Sequence, residues 1–92
     1  MVIVGIKLDL VESVKKLAEV SMKYDFDIDV KSEKYMVSAK SILGVMGIAS
    51  NKVMELRIEA SAQEAEKFLT EISEMLVGSP AQGWAVETDE LK

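Results

Sequence analysis

The side chains in this sequence that could do chemistry are hydroxyls and carboxylates, because it contains neither histidine nor cysteine. That removes the usual near-neutral acid–base group and the commonest metal ligand, together with disulfides, thiolate metal sites and a cysteine nucleophile. Asp25, Asp27 and Asp29 have the spacing that opens a calcium-binding EF-hand loop. The required sixth-position glycine is Val30, however, and the twelfth-position glutamate is Met36. Interleaving with Phe26, Ile28 and Val30 reads instead as the wet face of a strand. Gly44 and Gly47 are not followed by the Gly-Lys-Ser/Thr of a phosphate loop. The acidic residues fall on solvated faces with no facing pair for acid–base work, and the six methionines read as core filler and surface patch. The expectation is a protein that is not an enzyme and has no cofactor and no metal.

The informative segment is Lys40-Ser41-Ile42-Leu43-Gly44-Val45-Met46-Gly47-Ile48-Ala49-Ser50. Ser41 is a good helix N-cap, and the short helix after it is apolar on every side. A helix lying on a sheet buries one stripe only. Val45 and Ile48 can face inward together, which leaves Leu43, Met46 and part of Ile42 in water. An exposed apolar patch of that kind marks a partner surface. The alternative, that loops shelter these side chains and the helix is core, stays open on pattern alone.

The elements that must hold this segment follow from periodicity. Val2, Val4, Ile6 and Leu8 alternate with Ile3, Gly5 and Lys7, predicting a strand over 2–8. Asp9 and Glu12 have capping-pair spacing ahead of a helix over 11–23, with Val14, Leu17, Ala18 and Ser21 on one stripe. Phe26, Ile28 and Val30 form a second strand. Ser32-Glu33 forms a turn, and Tyr35, Val37 and Ala39 form a third strand over 34–39. Met54, Leu56, Ile58 and Ala60 form a fourth, with Glu55, Arg57 and Glu59 outside. Ser61 and Glu64 fit a capping box opening a last helix, whose stripe is Ala65, Phe68, Leu69, Ile72 and Leu76, with Gly78 as its stop. Strand runs with helices on one face describe an α+β open-faced sandwich, in the order βαββαβα with a four-stranded antiparallel sheet.

Ninety-two residues with 49% apolar and 29% charged content make one modest soluble domain. The expected division is a domain over 1–77 and a flexible acidic C-terminal tail over 78–92, docked if at all through Trp84. A net charge of −5 without a basic patch speaks against nucleic acid and anionic membranes as partners. The opening Val2–Ile6 run is too short for a signal segment, and nothing approaches a membrane span, so the expected localisation is cytoplasmic.

Ser-Met-Lys-Tyr-Asp at 21–25 and Lys-Ser-Ile-Leu-Gly-Val-Met at 40–46 resemble the histidine-containing phosphocarriers (HPr) of the bacterial sugar phosphotransferase system. The resemblance runs without gaps from about residue 6 to 77, and the order of elements agrees with that family's βαββαβα fold. It implies that Ser41 aligns with a serine phosphorylated by a dedicated kinase. It also implies that Ile42, Leu43, Met46 and Ile48 align with the docking surface for enzymes and regulators. Lys40 sits beside Ser41, where it could steer recognition.

The departure lies in the phosphoryl-accepting loop, Gly-Ile/Leu-His-Ala-Arg-Pro in the family and Leu8-Asp9-Leu10-Val11-Glu12-Ser13 here. Leu10 stands at the histidine position with no nucleophilic atom, and Glu12 stands at the arginine position, where it repels a phosphoryl group. Three readings follow. The first is a regulatory or adaptor domain docking protein partners (phosphotransferase-system enzymes, a serine kinase or a transcriptional regulator) under control of Ser41. The second is phosphoryl transfer through another residue, for which Asp9 is the nucleophile nearest the old site. The third is a structural module forming a homodimer through its patch or a sheet edge. Ser41 as a cap alone remains the plain alternative to its phosphorylation.

Overall fold

The computed structural model describes residues 1–49 and 53–77, with 85–87 described as backbone only. Alternation of apolar side chains builds the sheet. In β1 (Val2–Ile6) and β4 (Met54–Ile58) every second residue is buried, and Ile28 and Val30 of β2 (Ile28–Ser32) continue the same face. β3 (Tyr35–Ser38) lies at one edge. All pairings are antiparallel, in the order β3-β2-β4-β1-β5, with β5 (Leu76–Val77) on the far side of β1. The register sets Val4 and Val30 on either side of Leu56, so the buried rows line up across the sheet.

Helices α1 (Val11–Ser21) and α3 (Ala62–Glu71) close that face with Val14, Leu17, Ala65 and Phe68. Burial of large apolar side chains such as Phe68, Leu17 and Ile72 stabilises the fold by roughly 1.5–3 kcal/mol each before chain entropy is set against it. Short helix α2 (Ile42–Ile48) bridges β3 and β4 and packs against α1. The opposite sheet face is half-covered and charged. Arg57 sits between Ile3 and Asp29 in register, and its Nε lies 3.6 Å from Glu55. Burial and the neighbouring Asp27 push the Asp29 carboxyl up, against the pull of Arg57. The aspartates of the EF-hand-like spacing therefore belong to the approach to β2 and its outer face, as the alternation required.

The α+β architecture stands, with several corrections to the expected elements. The sheet has more than four strands. α3 stops at Glu71, a 3-10 turn spans Ser73–Met75, and Leu76-Val77 pair with Ile6 and Gly5 instead of extending the helix. The sheet edge wins these residues because β1 offers an unpaired backbone, to which the Met75 carbonyl also contributes by accepting from Lys7 N–H at 3.0 Å. β6 (Ala85–Glu87) also lies on β1, its Ala85 opposite Val4. Val77 and Ala85 thus face consecutive residues of β1. Most of the expected flexible tail over 78–92, with Trp84, lies outside the described residues, but its 85–87 portion is strand.

The hairpin loop is Glu33-Lys34 and not Ser32-Glu33, since Ser32 pairs with Tyr35, and Glu33 takes the left-handed φ of 54° that the tight turn demands. Tyr35 shares the sheet face of Val37 and Val30 but is exposed, at the start of the edge strand β3. The cap of α1 is Leu10, with no side-chain hydrogen bond, so the Asp9–Glu12 pair does not cap it.

Candidate functional site

Ser41 begins the site. Its extended backbone (φ −103°, ψ 107°) turns the chain from β3 into α2, and its Oγ accepts from Gly44 N–H at 3.1 Å. The Ser41 N–H donates to the Ser38 carbonyl at 3.1 Å, and Lys40 N–H to Ser38 Oγ at 3.2 Å. Gly44 gives the cap room, since a Cβ there would lie 3.0 Å from Ser41 Oγ and 3.4 Å from Val37 Cβ, and the serine side chain would have to give by a few tenths of an ångström. Lys40 is half-buried, and its ammonium donates to the Tyr24 carbonyl at 2.8 Å. Tyr24 in turn donates to Glu71, packs edge-on against Phe68 at 5.5 Å between ring centroids, and lies tilted against Phe26. Lys40 therefore ties the entry of α2 to the end of α1 and, through Tyr24, to α3. This is a structural role that its position beside Ser41 did not disclose.

Beyond the cap, α2 divides by face. Val45 is fully buried, while Ile42 and Ile48 are half-buried against the core. Leu43 is 84% exposed and Met46 42% exposed. The patch extends past the helix. Leu10 is 63% exposed, and it lines one shallow groove with Asp9, Val11, Met46 and Ala49 over a floor of Leu8 and Val14. Contact between α1 and α2 makes this possible, setting the first turn of α1 against the end of α2. The loop residue read from sequence only as a lost nucleophile is thus an apolar member of the same surface. The available signal was that Leu10 and Val11 are consecutive apolar residues ahead of the buried α1 stripe, where neither side chain can cap the helix or enter the core.

Asp9 and Glu12 are exposed. Asp9 borders the groove, whereas Glu12 lines a separate depression of α1 with Lys15, Lys16 and Glu19. Among the described residues, no group of three or more aspartates or glutamates converges to hold a metal ion. No described helix is long and apolar enough to cross a membrane. The site can bind an apolar surface, and the exposed Ser41 adjoins Ile42 and Leu43 at its edge.

The family model described as PTS HPr component phosphorylation site matches residues 12–77 of this geometry. The chain belongs to the HPr family. Among solved structures it is similar to HPr-C-His from Thermoanaerobacter tengcongensis, at 25% sequence identity and a TM-score of 0.63, over 78% of this chain and 90% of that one. No curated protein matches. HPr membership makes the chain a phosphocarrier-like component related to the phosphotransferase system, in a family whose members carry phosphate rather than catalyse and whose partners are proteins. The match to this HPr-family chain begins at residue 12, so Leu10 and Asp9 lie ahead of it.

Proposed function

We propose that this HPr-family chain is a regulatory or adaptor protein, which docks protein partners through Leu10, Val11, Leu43 and Met46 and does not carry phosphate on a histidine. The observation that supports the reading most is the continuity of the exposed side chains across two elements. Leu10 stands where the resemblance places the phosphoryl-accepting histidine, and it lines the same groove as Met46. A phosphocarrier needs an imidazole there, whereas a docking surface is enlarged by a leucine. Large apolar side chains gathered in water at one place are the mark of a binding surface.

Ser41 is the regulatory position in this reading. Its hydroxyl is exposed at the first turn of α2, next to Leu43. A phosphate there adds about −1.5 to −2 charges beside an apolar patch, and so changes which partner can approach. The Oγ would then trade its neutral acceptor role toward Gly44 N–H for a charged one, which favours the helix start.

Binding assays with immobilised protein test the docking surface. Leu43→Glu and Met46→Glu, both at exposed positions, are expected to abolish recovery of the cytoplasmic partner while leaving the thermal unfolding temperature near that of the parent. Equal recovery by both variants would remove the patch from the account. Incubation with the family's serine kinase and ATP, read by intact mass, tests the gate. Labelling that survives Ser41→Ala would place the phosphate elsewhere.

A further inference from the structure

Asp9 is the only charged side chain among the described residues lining the groove of Leu8, Leu10, Val11, Val14, Met46 and Ala49, and it makes no ion pair or hydrogen bond with another described residue. Among the described residues, three lysines on neighbouring elements are engaged elsewhere, and the exposed Lys7, two residues from Asp9, makes no ion pair with it. Lys40 is held by the Tyr24 carbonyl, Lys16 pairs with Glu74, and Lys23 pairs with Glu71. Lys15 belongs to the separate depression on α1, where it lies with Glu12 and Glu19. The groove therefore offers an apolar depression whose one carboxylate pairs with no other described residue.

We infer that the partner docked here presents a lysine or arginine from an amphipathic helix, its aliphatic stem laid over Leu10 and Met46 and its cationic head on Asp9. This inference rests on the docking reading and names the chemistry of the occupant. Long basic side chains are suited to such a site, because they bury a hydrocarbon stem and keep the charge at the edge. An acidic or neutral side chain in the same place would leave Asp9 repelled or unanswered. Charge complementarity of this kind selects among partners more than it adds raw affinity. An amphipathic helix is the form that offers such a side chain beside an apolar stripe to a hydrophobic groove.

Three synthetic amphipathic helices test the inference. They share one Leu/Met stripe and differ only in flanking residues: lysine and arginine, glutamine, or glutamate. Each is titrated into the full-length protein and followed by amide chemical shifts of Leu10, Val11, Leu43 and Met46. The basic peptide is expected to bind tightest and the acidic one weakest. Asp9→Asn is expected to weaken the basic peptide about fivefold and leave the glutamine-flanked one unchanged. Equal affinity for all three peptides, or an Asp9→Asn variant that binds the basic peptide as the parent does, overturns the inference and leaves the docking surface standing. Failure of every peptide to shift the patch overturns both.

Discussion

Ser21 lies wholly inside the protein at the end of α1, and its Oγ has no hydrogen-bond partner among the described residues. A buried hydroxyl without a partner carries the desolvation cost and returns nothing for it. Ser21→Ala is therefore expected to stabilise the fold by about 0.5–1 kcal/mol, since alanine also suits a helix interior better. A urea titration checks this, and a clear loss of stability would show that the hydroxyl has a role. Tyr24 shows the opposite situation. Its hydrogen bond to Glu71, then burial, then the charge of Glu71, push its phenol from 10.0 up to about 12. Because the folded pKa is raised, this contribution is complete below the unfolded value of about 10 and is lost as pH rises toward 12. Glu71 is drawn the other way, held below the usual carboxylate range first by Lys23 and then by Tyr24. Its contribution is present above that range and fades on acidification. Tyr24→Phe should thus be less stable than the parent at neutral pH, with the difference closing between about pH 10 and 12. Thermal unfolding across that range checks it, and a constant difference would contradict it.

At the scale of elements, α2 is held by its first turn and is weak at its last. A Cβ at Gly44 would press on the capping Ser41 hydroxyl at 3.0 Å, but a Cβ at Gly47 would meet nothing within 4 Å. Gly47→Ala is expected to stabilise the protein by about 0.5–1 kcal/mol through helix propensity alone, whereas Gly44→Ala should destabilise it. Chemical denaturation of the two variants side by side checks the contrast. The same helix shows what a sequence discloses. Its uniform apolarity required some side chains to be left in water, and Val45 and Leu43 divide as one stripe demands. β4 and the capping box of α3 were legible for equally local reasons: strict alternation in one, and the Ser61–Glu64 exchange in the other. β5 was not legible, because Leu76 continues the helical stripe of α3 and only the free edge of β1 explains why it leaves the helix. Asp9 and Glu12 imitate a cap that the backbone does not use. The joining of Leu10 and Val11 to Met46 depends on α1 lying beside α2, a tertiary contact that no local pattern encodes.

At the scale of the molecule, one antiparallel sheet is covered by helices on its core face, and Leu10, Val11, Leu43 and Met46 stay exposed on the two elements that meet beside the groove. Family and fold make the chain an HPr-like protein, and the reading proposed for it is docking without transfer. Intact-mass measurement after incubation with the first enzyme of the phosphotransferase system and phosphoenolpyruvate tests that claim most directly. The account predicts an unmodified chain under conditions in which a histidine-bearing HPr is fully phosphorylated. An acid-labile phosphoryl adduct on this chain, above all one lost in Asp9→Asn, would contradict it.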